Sequence, residues 1–205
     1  MSTNLNTNRT NRVRRLTTMG LLLAIMAIFL FTPLGFIQIT PVAAITLMHI
    51  PVLIGLLCEG FLPGLALGFL FGVMSLIRAF TPVMPLDVLF QNPLVSIVPR
   101  MLIPCVAWLV YKGALAMVKG KARLPVAWTC SAIAGTLTNT VAVLGTLYVV
   151  YGARLAELME VPVAGVLAVL GGIVLTNGLP EAAFAALVIP ALMGALSRLQ
   201  RRGNP

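Results

Sequence analysis

The single histidine of the chain, His49, stands inside the apolar run ITLMHIPVLIG (45–55), two residues before Pro51. Other polar side chains are embedded in similarly apolar sequence. Asn92, Ser96 and Arg100 follow i, i+4, i+8 spacing, which places them on one face of a helix. Asn139 stands among Thr136, Thr138 and Thr140, and Asn177 and Glu181 are again four apart. Gln38 lies in the stretch PLGFIQITP. One guanidinium, one carboxylate, one imidazole and several amides and hydroxyls can together hold a small polar molecule by hydrogen bonds and charge. They do not make a reaction centre. The chain has no second histidine for a metal site, no G-x-x-x-x-G-K-[ST] phosphate loop and no H-E-x-x-H. Cys58, Cys105 and Cys130 fall at unrelated spacings in apolar sequence, which reads as packing rather than a metal set. We therefore expect no metal, no cofactor and no enzymatic activity in this chain.

The elements that must position these residues are membrane helices. Of 205 residues, 60% are hydrophobic and only 9% charged, and the mean hydropathy is +1.04. A crossing takes roughly 20 residues, so the length suits five to seven spans and no additional soluble catalytic domain. Apolar runs predict spans over 16–31, 42–58, 62–80, 93–112, 126–150 and 179–196. Asn92 is expected as the cap of the fourth, with Pro93 at its first position. The 13-residue run 163–175 is too short to cross and reads as a surface segment. The reading is an all-α polytopic bundle of six transmembrane helices: a flexible tail 1–15, one membrane domain 16–198 and a tail 199–205.

The net charge of +9 belongs to this topology rather than to nucleic acid. Arg9, Arg12, Arg14 and Arg15 precede the first run, Lys112, Lys119, Lys121 and Arg123 share one connection, and Arg198, Arg201 and Arg202 end the chain. Six crossings put all three groups on one side. The excess of Lys and Arg marks that side as the cytoplasm, which then holds both termini.

On this topology His49 lies eight residues into the second span, about 12 Å deep, beside a kink expected at Pro51. The polar residues gather in the outer halves of the helices and describe a cavity open to the outside. Alternatives stand beside that reading. His49 can serve helix packing alone, Arg100 and Glu181 can form a structural ion pair, and Asn139 with its threonines can be interhelical glue. Gly64, Gly68 and Gly72 form two consecutive GxxxG units, a face for close packing inside the bundle.

The segments ITLMHIPVLIG, GFLPGLALGFLFGVMSLI, NPLVSIVPR, GTLTNTVAVLGTLYVVYG and TNGLPEAAFAALVIPAL resemble the substrate-capture (S) components of energy-coupling factor (ECF) transporters, over about residues 15–196. MHIPV, NP-xx-S-xx-PR, TNT and NG-x-PE resemble the pantothenate-type branch most. The resemblance implies a six-helix protein of the bacterial cell membrane that captures one vitamin from outside. It also implies a transmembrane coupling protein and two cytosolic ATPases as partners, so that ATP is used by those subunits and not by this chain. A small-residue motif on the family's first helix contacts the coupling protein; here it reads Gly20-xxx-Ala24 with Ala27 one turn on. For pantothenate the resemblance suggests Arg100 for the carboxylate and Asn139, Asn177 and His49 for the hydroxyls and amide. Another vitamin or micronutrient, a stand-alone secondary transporter and a purely structural membrane protein are the competing readings.

Overall fold

The computed structural model describes residues 2–32, 35–40, 43–83 and 85–202, with side chains placed for 12–32, 35, 46–83 and 86–199. Helix α1 (Ser2–Phe31) leads into a short antiparallel hairpin, β1 (Phe36–Thr40) and β2 (Ala43–Thr46). Then come α2 (His49–Glu59), α3 (Phe61–Arg78), a 3₁₀ segment (Pro85–Gln91), α4 (Pro93–Ser96) and α5 (Val98–Met117). A basic turn leads to α6 (Arg123–Leu158), and α7 (Val166–Ile173) and α8 (Leu179–Arg202) finish the chain. Among the described residues five helical stretches are long and apolar enough to cross a membrane, and α2 is a shorter apolar helix beside them. The fold is thus an all-α membrane bundle with one hairpin added.

Four sequence expectations change. The N-terminal segment is helical from Ser2 rather than a loose tail. The second span is shorter than 42–58, because residues 43–46 pair in the hairpin and the helix begins only at His49. Pro51 then falls in the first helical turn, where a missing N–H costs nothing, so it starts a helix instead of kinking one. The carbonyl of Leu47 accepts from the Ile50 amide at 3.1 Å. Finally, 163–175 is no separate surface segment. It joins α8 through a π-helical turn (Val174–Gly178), and together they form one 37-residue apolar stretch, Val163–Leu199.

Helix α6 has 36 residues, about 54 Å at 1.5 Å per residue, well beyond a hydrocarbon core of roughly 30 Å. It bends at Tyr151, whose φ/ψ of −132°/25° is not helical. Beyond the middle of α6, a compact apolar cluster forms from Leu86, Leu89, Val95, Leu147, Leu155, Val166 and Leu170. A larger core fills the other end: Met26, Leu53, Leu56, Leu67, Ile103, Ala132 and Ile189 are all fully buried there.

The glycine face of α3 packs inward. A methyl at Gly68 would lie 2.7 Å from the Arg100 carbonyl, and one at Gly72 would lie 2.7 Å from Ile97 Cα. These two glycines let the α3 backbone touch the start of α5, which sets Arg100 in place.

Candidate functional site

Against the smaller apolar cluster lies a cavity of about 150 Å³. Its polar lining comes from separate elements: Thr46 at the end of β2, Ser75 and Arg78 on α3, Asp87 on the 3₁₀ segment, Arg100 on α5, Asn139 and Thr140 on α6, Asn177 on the π turn and Glu181 on α8. Phe90, Val143, Leu144, Leu147 and Ile173 supply apolar wall.

Arg100 is 5% exposed. Its Nη1 donates to the Val95 carbonyl at 2.9 Å and its Nη2 to Ser75 Oγ at 3.2 Å, while the rings of Phe71 and Phe90 lie 5.5 and 5.0 Å from the guanidinium carbon. Among the described residues its Nε has no hydrogen-bond partner and no carboxylate stands within ion-pair distance of it. The suggested Arg100–Glu181 ion pair is therefore not formed. A cation buried in a membrane bundle without a counter-charge is costly, and an anionic ligand would remove that cost.

Glu181 is held differently. Its Oε1 accepts from the Thr46 backbone N–H at 2.5 Å, and its Oε2 accepts from Thr140 Oγ1 at 3.5 Å. The carboxylate thus ties the base of the hairpin to α6 and α8 while remaining part of the cavity wall. Asn139 Oδ1 is buried and unpartnered. Asn177 reaches the wall because the π turn gives α7–α8 a wider local winding there, a device common at functional positions. The cavity therefore pairs a guanidinium region with a region of acceptors.

The other expected site residues lie elsewhere. His49 is 1% exposed, and its Nε2 bonds Thr136 Oγ1 at 3.0 Å, below the cavity lining; its Nδ1 has no partner among the described residues. Asn92 caps α4 by accepting from the Leu94 N–H at 3.0 Å and donates to the Tyr151 hydroxyl at 3.2 Å. Ser96 donates to the Phe90 carbonyl. Ile97 separates α4 from α5 but keeps helical angles (φ −93°, ψ −49°), so Asn92, Ser96 and Arg100 stay on one helical run, and only Arg100 of the three lines the cavity. Gln38 pairs with Ala44 in the hairpin, and its side chain falls outside the described residues.

Sequence reasoning left out Thr46, Ser75, Arg78 and Asp87. Ser75 was legible in principle, since it continues the Gly68–Gly72 face by one turn. Thr46 and Asp87 were not, because irregular loops bring them in. On the first helix Gly20 and Ala24 are exposed, Ala27 is half-buried, and no atom would lie within 4 Å of a side chain added at Gly20.

A cavity of about 150 Å³ with guanidinium, carboxylate, amide and hydroxyl groups in its wall has the size and chemistry to hold a small polar solute inside a membrane bundle. Residues 14–193 match the family described as the ECF transporter, substrate-specific component, and the chain belongs to that family. It is also similar to the pantothenic acid transporter PanT of Lactococcus lactis subsp. cremoris (strain MG1363), with 30% identity over 167 residues, which cover 75% of this chain and 78% of the relative. The chain is a multi-pass membrane protein and a transport subunit that works with the ECF module.

Proposed function

We propose that the cavity captures pantothenate from outside the cell for ATP-driven uptake. The observation that carries this is the Arg100 guanidinium, buried in the wall with no carboxylate in ion-pair distance and its Nε unpartnered among the described residues, in the same cavity as the acceptors of Glu181 and Asn139. Pantothenate has a carboxylate for the first and hydroxyl and amide donors for the second. Arg100, Asn139, Asn177 and Glu181 touch the ligand. His49, Asn92 and Ser96 support the elements that carry them, and Gln38 belongs to the hairpin above.

In this reading residues 16–198 cross the bacterial cytoplasmic membrane six times, α2 making the short crossing, and the tails 1–15 and 199–205 are cytoplasmic. The chain hydrolyses no ATP and needs no cofactor. A coupling protein docks on the Gly20, Ala24 and Ala27 face, and two cytosolic ATPases supply the energy. Calorimetry on the purified protein, after any co-purified metabolite is removed, should show one equivalent of pantothenate bound. Vesicles containing this chain alone should take up none under an ion gradient. Absence of binding sinks the ligand, and gradient-driven uptake by the isolated chain sinks the dependence on a partner.

A further inference from the structure

We propose that the opposite end of the bundle binds the headgroup phosphate of an anionic phospholipid, at the connection between α5 and α6. Lys112, Lys119, Lys121 and Arg123 are all exposed there. The sequence has no Asp or Glu from 88 to 156, so neither α5 nor the first eight turns of α6 offers these cations an internal partner. The nearest acid on a packed neighbour is Glu59, in the α2–α3 turn whose Phe61 ring lies 6.2 Å from Trp108; Glu59 shares its surroundings with Arg14.

Two of the four cations are fixed. Lys112 Nζ stands 4.8 Å above the Trp108 ring, and Trp108 stacks at 5.6 Å on Tyr111. Arg123 Nε donates to the Leu115 carbonyl at 3.0 Å, which leaves its terminal nitrogens available. Orientation by positive charge alone asks for neither anchor. The apolar residues beside the patch decide between a lipid and a soluble phosphate. Leu109, Met117 and Leu124 are exposed on the flanking helix ends, so cations and acyl-chain surface adjoin. An amphiphile with a negative head matches both, whereas an inorganic anion uses only the cations.

The two tryptophans of the chain, Trp108 and Trp128, both sit at this end, so intrinsic fluorescence reports on it. Full-length protein in phosphatidylcholine vesicles would be titrated with phosphatidylglycerol or phosphatidylcholine brominated on the acyl chain, at equal mole fraction. The anionic lipid should quench about twofold or more above the neutral one. The triple variant Lys119→Gln, Lys121→Gln, Arg123→Gln should lose most of that preference, and adding Lys112→Gln should remove the rest. All four positions are exposed, and retained pantothenate binding would verify the fold. Equal quenching in the wild type, or an unchanged preference in the quadruple variant, overturns the proposal. So does loss of the preference on adding inorganic phosphate but not chloride at matched ionic strength, which would assign the patch to free phosphate.

Discussion

The two halves of this bundle treat buried polar groups in opposite ways. In the closed half, around Leu53, Leu56 and Ala107, polar side chains find partners inside the protein: Ser131 Oγ donates to the Ala107 carbonyl at 3.0 Å, and Cys58 Sγ meets Met193 Sδ at 3.6 Å. In the cavity half, Arg100 Nε and Asn139 Oδ1 are buried without one among the described residues. Burying an unpaired polar group costs about 1–3 kcal/mol, and more for a charged one. A membrane protein retains such groups where a ligand completes them. The criterion is not exclusive to the cavity, since Thr32 Oγ1 and His49 Nδ1 are also buried and unpartnered among the described residues without lining it, so lining and missing partner together mark the site.

Arg100 is where the contrast breaks most visibly. Arg100→Met keeps the length and apolar contacts with Phe71 and Phe90 and removes the charge. Pantothenate affinity should fall about 100-fold or more, close to 2.7 kcal/mol, by calorimetry. The thermal transition of the empty protein should hold or rise, because an uncompensated cation has been taken out of the bundle. A variant that loses stability and binding together would show instead that the guanidinium is structural, held by Val95 and Ser75 for its own sake.

Gly72 tests how the closed packing serves the open site. In Gly72→Ala the new methyl meets Ile97 Cα at 2.7 Å, which backbone cannot yield without moving. Overpacking of this kind costs about 1–3 kcal/mol. The displacement falls on the turn that begins α5, three residues before Arg100, so affinity should drop about tenfold along with the melting temperature. Gly20→Ala, with nothing within 4 Å inside an exposed helix, is the control: affinity should stay unchanged and the melting temperature should hold or rise slightly.

The architecture was legible where chemistry repeats along the chain. Apolar runs marked the helices, and Asn92–Pro93 marked a helix start that the structure reproduces. Arg100, Asn139, Asn177 and Glu181 stood out because ionisable and amide groups are rare in apolar runs, and all four line the cavity. What stayed hidden is irregular backbone. Residues 43–46 are apolar enough to continue a helix, yet they pair as a strand, and the pairing brings the Thr46 N–H to Glu181. Ser96 is engaged by the Phe90 carbonyl of the 3₁₀ segment, and a π turn joins segments that read as separate. Helical spacing carries no trace of any of these, because each depends on contacts across the bundle.

His49 stands on the boundary between the two halves and sharpens the comparison least by magnitude and most by logic. Its Nε2 has a partner, as in the closed half, whereas its Nδ1 faces the Thr46 backbone without a close hydrogen bond among the described residues. Position decides between them: the imidazole begins α2 against Thr136 and does not line the void, so its work is to join α2 to α6. His49→Ala should therefore lower the thermal transition, with about 1–3 kcal/mol lost as Thr136 Oγ1 is left unpaired. Pantothenate affinity should change by less than about fivefold, near 1 kcal/mol. Thr136→Val supplies the second arm of a double-mutant cycle. If the His49–Thr136 bond is the whole interaction, the double variant costs clearly less than the sum of the singles, with a coupling of about 0.5 kcal/mol or more. Additive stability losses together with a tenfold fall in affinity for His49→Ala alone would place Nδ1 on the ligand. The boundary between the two halves would then run one helical turn deeper than the cavity wall.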